Sequence, residues 1–183
     1  MHFVKWQALG NDFVFVNGFK EKLEEVTRHT KEICDRHFGI GADGIIFVLP
    51  SDKADLKMRI FNSDGSEAEM CGNGIRAFAK WAHELGLVKE KRISVETGAG
   101  ILYPEIMDNG MVRVDMGCPH LDAKEIPAEG FGEGPIINQT LANEKNGKSY
   151  QVTCVSMGNP HCVIFVDDAE SVPVTEEGPN LET

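Results

Sequence analysis

Residues 71–74 read Cys-Gly-Asn-Gly and sit directly ahead of Ile75, Phe78, Ala79, Ala82 and Leu85, an apolar set at helical spacing that Gly86 closes. Cys71, Gly72 and Asn73 therefore fall at or just before the first turn of a helix, where backbone N–H groups have no partner within the helix. Such a position favours negative charge, so a thiol there loses its proton more readily than a free cysteine and can work as nucleophile, acid or base. Gly72 and Gly74 leave the backbone open to a ligand, as at anion-binding helix starts. The same residues also suit a tight turn with Cys71 as a small core side chain. Taken alone, they leave both readings open.

Three further stretches, LGNDF (9–13), FNSDG (61–65) and MGNPH (157–161), each place an asparagine at the end of a strand-like run: Asn11, Asn62 and Asn159. An asparagine offers both donor and acceptor, so three of them suit a ligand bearing carboxylate and ammonium groups. Singly, each is an ordinary turn residue. His161 supplies a base in the last stretch. A cysteine hydrolase or acyl-transferase, with Cys71 as nucleophile and His161 as base, would need that pair within hydrogen-bond reach and a third orienting group.

The rest of the composition excludes several classes. With 18 Lys and Arg against 29 Asp and Glu, the net charge of -11 leaves no basic footprint for nucleic acid. No apolar run nears the ~18 residues of a membrane helix, and the N-terminus lacks a signal-peptide core. A soluble, cytoplasmic protein is the expectation. Five cysteines (Cys34, Cys71, Cys118, Cys154 and Cys162) form an odd set in a chain rich enough in core residues to fold without disulfides. No spacing among them and the histidines makes a closed metal site. No lysine lies in a recognisable cofactor-binding context. Neither metal nor cofactor is expected.

The elements that position these residues follow from periodicity. Phe3–Gln7 and Phe13–Val16 read as strands around a turn at 9–12, and Leu23–His37 as one helix ended by a left-handed Gly39. Ile45–Leu49 reads as a buried strand and Leu56–Phe61 as a half-exposed one. After the Cys71 helix, Ile93–Thr97, Ile101–Ile106 and Met111–Met116 read as short strands of a meander ending near Gly117. Residues 119–147 have weak periodicity and read as a linker or long excursion. Tyr150–Val155 and Cys162–Val166 are two further strands, and the polar end VPVTEEGPNLET shows no closing element. Runs of strands with two marked helices give α+β. The second unit, with two strands and no helix, is too small to enclose a core.

The stretches ALGNDFVFV, RHFGIGADG, RIFNSDGSEAEMCGNGIRAFA and VSMGNPHCVIFVDD resemble diaminopimelate epimerases in order and spacing, over essentially all 183 residues. Proline racemases share the logic but typically carry His where Asn73 stands. The resemblance implies an isomerase that interconverts LL- and meso-diaminopimelate without a cofactor, on the lysine and peptidoglycan route. It implies two α+β halves, each a mixed sheet rolled around a central helix, with the substrate between two opposed thiols. Here residues 1–117 would be the first half and 118–183 the start of the second. Carried over, Cys71 is the catalytic acid/base, Asn11, Asn62, Gly72, Asn73 and Asn159 bind substrate, and His161 tunes the cysteine pair. The implied partners are a small amino-acid substrate and, at full length, a second copy in a homodimer.

Two departures stand out. Many members carry Gln where this chain has Gly44, and the second cysteine's Cys-Gly-(Ser/Thr)-Gly stretch is missing. The chain thus reads as an N-terminal fragment, expected to be inactive alone. A related amino-acid racemase and a non-catalytic amino-acid-binding fragment are the alternatives, ahead of the hydrolase.

Overall fold

Alternating side chains on two central strands set the layers of the structure, a computed structural model that describes residues 1–143 and 145–181. Its residues divide into two units, Met1–Met116 and one beginning at Gly117. In the first, β1 (Phe3–Ala8), β2 (Asn11–Asn17), β3 (Gly44–Leu49) and β4 (Leu56–Asn62) are successive neighbours, with β2 and β3 parallel and the other pairs antiparallel. β5 (Glu67–Ala68) returns along β4, and β6 (Val95–Thr97) and β7 (Gly100–Leu102) complete a seven-stranded sheet.

One face of this sheet carries Phe13, Phe15, Ile46, Val48, Met58 and Ile60. They pack with Ile75, Phe78, Ala79, Trp81 and Ala82 of the central helix α3, named here after α1 (Leu23–Thr27) and α2 (Thr30–Cys34) and spanning Gly72–Glu84. The opposite face, Val14, Val16, Ile45, Phe47 and Phe61, packs with Val26 and Cys34 of α1 and α2. Residues i and i+2 of a strand share a face. That is why the apolar runs 13–16 of β2 and 45–48 of β3 are buried on both sides. α3 also meets β1 and the hairpin of β8 (Glu105–Ile106) and β9 (Val112–Arg113), so β-structure covers more than one side of it. The unit is α+β, as expected.

Several boundaries differ from the sequence expectation. The helix expected over 23–37 is broken into α1 and α2 at His29, whose backbone leaves the helical region (φ -114, ψ 21) and whose N–H donates to the Val26 carbonyl three residues back. The buried Thr30 hydroxyl donates to the Thr27 carbonyl across the break. No left-handed glycine ends it at 39. Gly41 is left-handed instead (φ 75), and Gly39 is required by proximity: a Cβ there would lie 2.0 Å from the Glu32 carbonyl oxygen. The run 101–106 divides into β7 and β8 around Pro104, whose ring removes a ladder donor.

The second unit is richer than expected. β10 (Gln139–Ala142), β11 (Ser149–Ser156) and β12 (Pro160–Ile164) form an antiparallel sheet. Ala123, Ile126 and Ile136, from the stretch expected to be a linker, join Val152 and Cys154 in a small core. The polar end forms α4 (Val174–Leu181), with Glu182 and Thr183 outside the described residues. Buried Glu177 fixes this helix by accepting from Asn143 Nδ2 (3.0 Å), Asn146 Nδ2 (2.7 Å) and Lys148 Nζ (2.5 Å). Its Gly178 and Pro179 hide the helix from periodicity. Tertiary hydrogen bonds to one carboxylate hold it.

Candidate active site

Cys71 is the N-cap of α3, with an extended backbone (φ -142, ψ 116) and a half-buried side chain. Its Sγ accepts a hydrogen bond from the Gly74 N–H at 3.3 Å, while the thiol donates to Asn11 Oδ1 at 3.6 Å. Gly72 and Asn73 are the first helical residues, whose N–H groups have no acceptor within the helix.

Asn11 opens β2 after a tight turn in which Leu9 (φ 55) and Gly10 (φ 84) are left-handed. It lies on the α3 side of the sheet, two residues before Phe13. In the ladder Phe13 pairs with Gly44, and Gly44 with Asn62. Gly44 precedes Ile46 by two and Asn62 follows Ile60 by two, so both also fall on the α3 side. Asn11, Gly44 and Asn62 thus share one face and one end of the sheet with the start of α3. Asn62 is exposed and turned into its own loop, its Nδ2 donating to Ser66 Oγ at 3.0 Å. A side chain at position 44 would begin 2.5 Å from the Phe61 carbonyl oxygen, so this strand pair is built for glycine.

Charged residues that sequence reasoning left unassigned complete the arrangement. Asn73 Nδ2 donates to Asn11 Oδ1 at 3.3 Å, and Arg76 Nη2 donates to Asn73 Oδ1. Asn11 Nδ2 donates to Asp43 Oδ2 at 2.7 Å. Arg36 Nη2 bridges Asp43 Oδ1 (2.7 Å) and Asp12 Oδ1 (2.8 Å), and Lys5 Nζ lies 2.9 Å from Asp12 Oδ2. Hydrogen bonding from Arg36, then from Lys5, holds the Asp12 carboxyl well below the usual carboxylate range against the opposing effect of burial. Of these five charged residues, Asp12, Arg36, Asp43 and Arg76 lie inside the stretches that carry the family resemblance, and Lys5 lies three residues before the first. Their signal was a set of opposite charges next to asparagines, in residues already singled out for other reasons.

Asn159 and His161 lie in the second unit, Asn159 in the turn between β11 and β12 and His161 in β12 opposite Val155, and both are exposed. Gly158 is left-handed there (φ 94) and its N–H donates to Ser156 Oγ at 3.3 Å. Of the other cysteines, Cys34 is buried and burial pushes its thiol up. Cys162 sits opposite Cys154 across β11 and β12, and burial of the sulfur and that neighbouring thiol push it up too. Only Cys71 caps a helix.

The family model described as "Diaminopimelate epimerase" matches residues 3–121. Diaminopimelate epimerases of Moorella thermoacetica and Pelotomaculum thermopropionicum are each 53% identical, over 100% of this chain and 66% of the relative. The chain therefore spans about two thirds of the length of these curated relatives. Among solved structures, a hydroxyproline epimerase from Agrobacterium vitis superposes with a TM-score of 0.66 at 13% identity, over 96% of this chain and 56% of that one, a likeness of fold. On the match of residues 3–121, with Cys71 at a helix start beside Asn11 and Asn73, the chain belongs to the diaminopimelate epimerase family.

Proposed function

We propose that the protein interconverts LL- and meso-diaminopimelate without a cofactor, by moving a proton at the α-carbon between two thiols, of which Cys71 is one. The observation that carries this is the two-way bonding of Cys71 Sγ. The Gly74 N–H supports a thiolate, and Asn11 Oδ1 supports a thiol. A group that acts as base in one direction and acid in the other needs both forms held in one place. As thiolate, Cys71 takes the α-proton and leaves the electron pair on carbon. A second thiol on the opposite face delivers its own proton there and becomes the thiolate.

The developing carbanion spreads into the substrate carboxylate, which the N–H groups of Gly72 and Asn73 at the positive end of α3 are suited to receive. Asn11 retains one N–H and Asn62 its carbonyl oxygen for the substrate's polar groups. Asn159 would add a further contact and His161 would tune the thiols, both from the second unit. In this reading residues 1–117 form one half of the fold and 118–183 begin the other. The protein works in the cytoplasm as a homodimer. No helix among the described residues is long and apolar enough to cross a membrane.

The test is stereoinversion of diaminopimelate in D₂O by protein expressed from the whole reading frame, with α-deuterium incorporation followed by NMR. Exchange and inversion that Cys71→Ala abolishes are expected. Binding without exchange, or ester hydrolysis through a trapped acyl-Cys71, would replace this reading.

A further inference from the structure

Both asparagines beside Cys71 could in principle present either end of their amides, and the two orientations offer opposite chemistry to the sulfur. Their neighbours decide between them. Arg76 can only donate, so Asn73 turns its oxygen to Arg76 and its NH₂ toward Asn11. The Asp43 carboxylate, bridged by Arg36, can only accept, so Asn11 turns its NH₂ to Asp43 and its oxygen toward Asn73 and Cys71. Reversing the Asn11 amide would set its NH₂ against the Asn73 NH₂ and its oxygen against a carboxylate. A one-way chain results, from Arg76 through Asn73 and Asn11 to Asp43.

Asp43 is itself pinned. Its N–H donates to the Asp12 carbonyl (2.9 Å), its carbonyl accepts from the Ser63 N–H (3.0 Å), and its Oδ2 also accepts from the Asp12 N–H (3.0 Å). It thus joins the ends of β2 and β4 at the strand β3 it precedes, so its carboxylate cannot drift from Asn11 without loosening the sheet end.

We propose that Asp43 is a positioning residue for Cys71: by fixing the Asn11 amide, it keeps an acceptor, rather than a donor, on the sulfur. Its meaning for turnover rests on the epimerase reading above, but its effect on the sulfur does not. With Asn11 Oδ1 in place the thiol form has its hydrogen-bond acceptor. Once Asp43 releases Asn11, the amide turns or leaves, and the thiol loses that acceptor.

The experiment measures the rate of Cys71 alkylation by iodoacetamide at neutral pH, read by peptide mass, in the protein, Asp43→Asn, Asn11→Leu and the double variant. Asp43→Asn is expected to raise the rate by up to about tenfold, the worth of one net hydrogen bond. In the Asn11→Leu background, where no amide remains to be oriented, the same change is expected to alter it less than about twofold. An equal rise in both backgrounds would show that Asp43 acts through its charge alone and overturn the proposal, as would no rise in either. A second measurement needs no variant. The side-chain amide of Asn11 in the ¹⁵N spectrum should show one proton downfield of exposed asparagines, and its absence would also overturn the proposal. Failure of diaminopimelate turnover by protein from the whole reading frame, with this coupling intact, would defeat the epimerase reading and leave the positioning role standing.

Discussion

Replacing Asp12 by asparagine removes the charge on which Lys5 and Arg36 converge, at the strand end that presents Asn11. The Asp12 side chain is only 16% exposed, so its ionised form depends on those two partners rather than on water. Its carboxyl lies below the usual range in the fold. A group whose affinity for protons falls on folding stabilises the fold above its unfolded pKa, about 3.9 for an aspartate. That contribution disappears as pH drops through the folded value. A tenfold change in proton affinity is worth about 1.4 kcal/mol. The cations are 40% and 54% exposed, so solvent screens part of the attraction. We therefore expect Asp12→Asn to cost about 1–2 kcal/mol near neutral pH, well short of the ~3–5 for breaking a fully buried pair. The assay is urea unfolding of both proteins at about pH 7 and at successively lower pH, taking the difference so that other acid-sensitive groups cancel. The difference should shrink steadily below about pH 4. A constant difference across that range, or equal stability near neutrality, would refute the reasoning.

Other outcomes follow from the same structure. In protein from the whole reading frame, Cys71→Ser should keep the fold but lose at least ~10²-fold in epimerisation, since a hydroxyl is a far poorer base than a thiol; near-normal turnover would remove Cys71 from the chemistry. The 183-residue chain assayed by itself should not invert diaminopimelate at a useful rate, because among its cysteines only Cys71 caps a helix; Cys71-dependent inversion would show that one thiol suffices or that another cysteine serves as the second. Phe78→Ala should cost about 3–5 kcal/mol in denaturant unfolding, because this fully buried ring packs between α3 and the sheet; a loss below about 1 kcal/mol would mean the core closes over the gap. Glu177→Gln should speed amide hydrogen exchange around Lys145–Lys148, because Lys148, then Asn146, hold the Glu177 carboxyl down at about 2. Exchange in the unaltered protein should speed up likewise as pH falls from about 4 toward that value, after correction for intrinsic rates, and an unchanged pattern would show that α4 is held by other contacts.

What the sequence determined by itself is local. The apolar spacing of residues 75–82 and the glycine at 86 mark α3, because a helix face and its stop signal lie within one short window. Cys71 at its start follows from the same window. The apolar run Ile45–Leu49 announced the buried strand β3, and Phe13–Val16 marked β2 as a strand. Tertiary structure decided the rest. Asn11 reaches Cys71 across sixty residues of chain only because β2 lies beside β3 and under α3. Asp43 reaches Asn11 only because β2 and β3 run parallel in the register that pairs Phe13 with Gly44. The helix break at His29 is a local backbone departure, and the terminal helix around Glu177 depends on one buried carboxylate; no periodicity reveals either. Apolar patterning is a property of neighbouring residues and can be read along the chain. The orientation of a polar side chain depends on the donors and acceptors around it, and only folding brings those within reach.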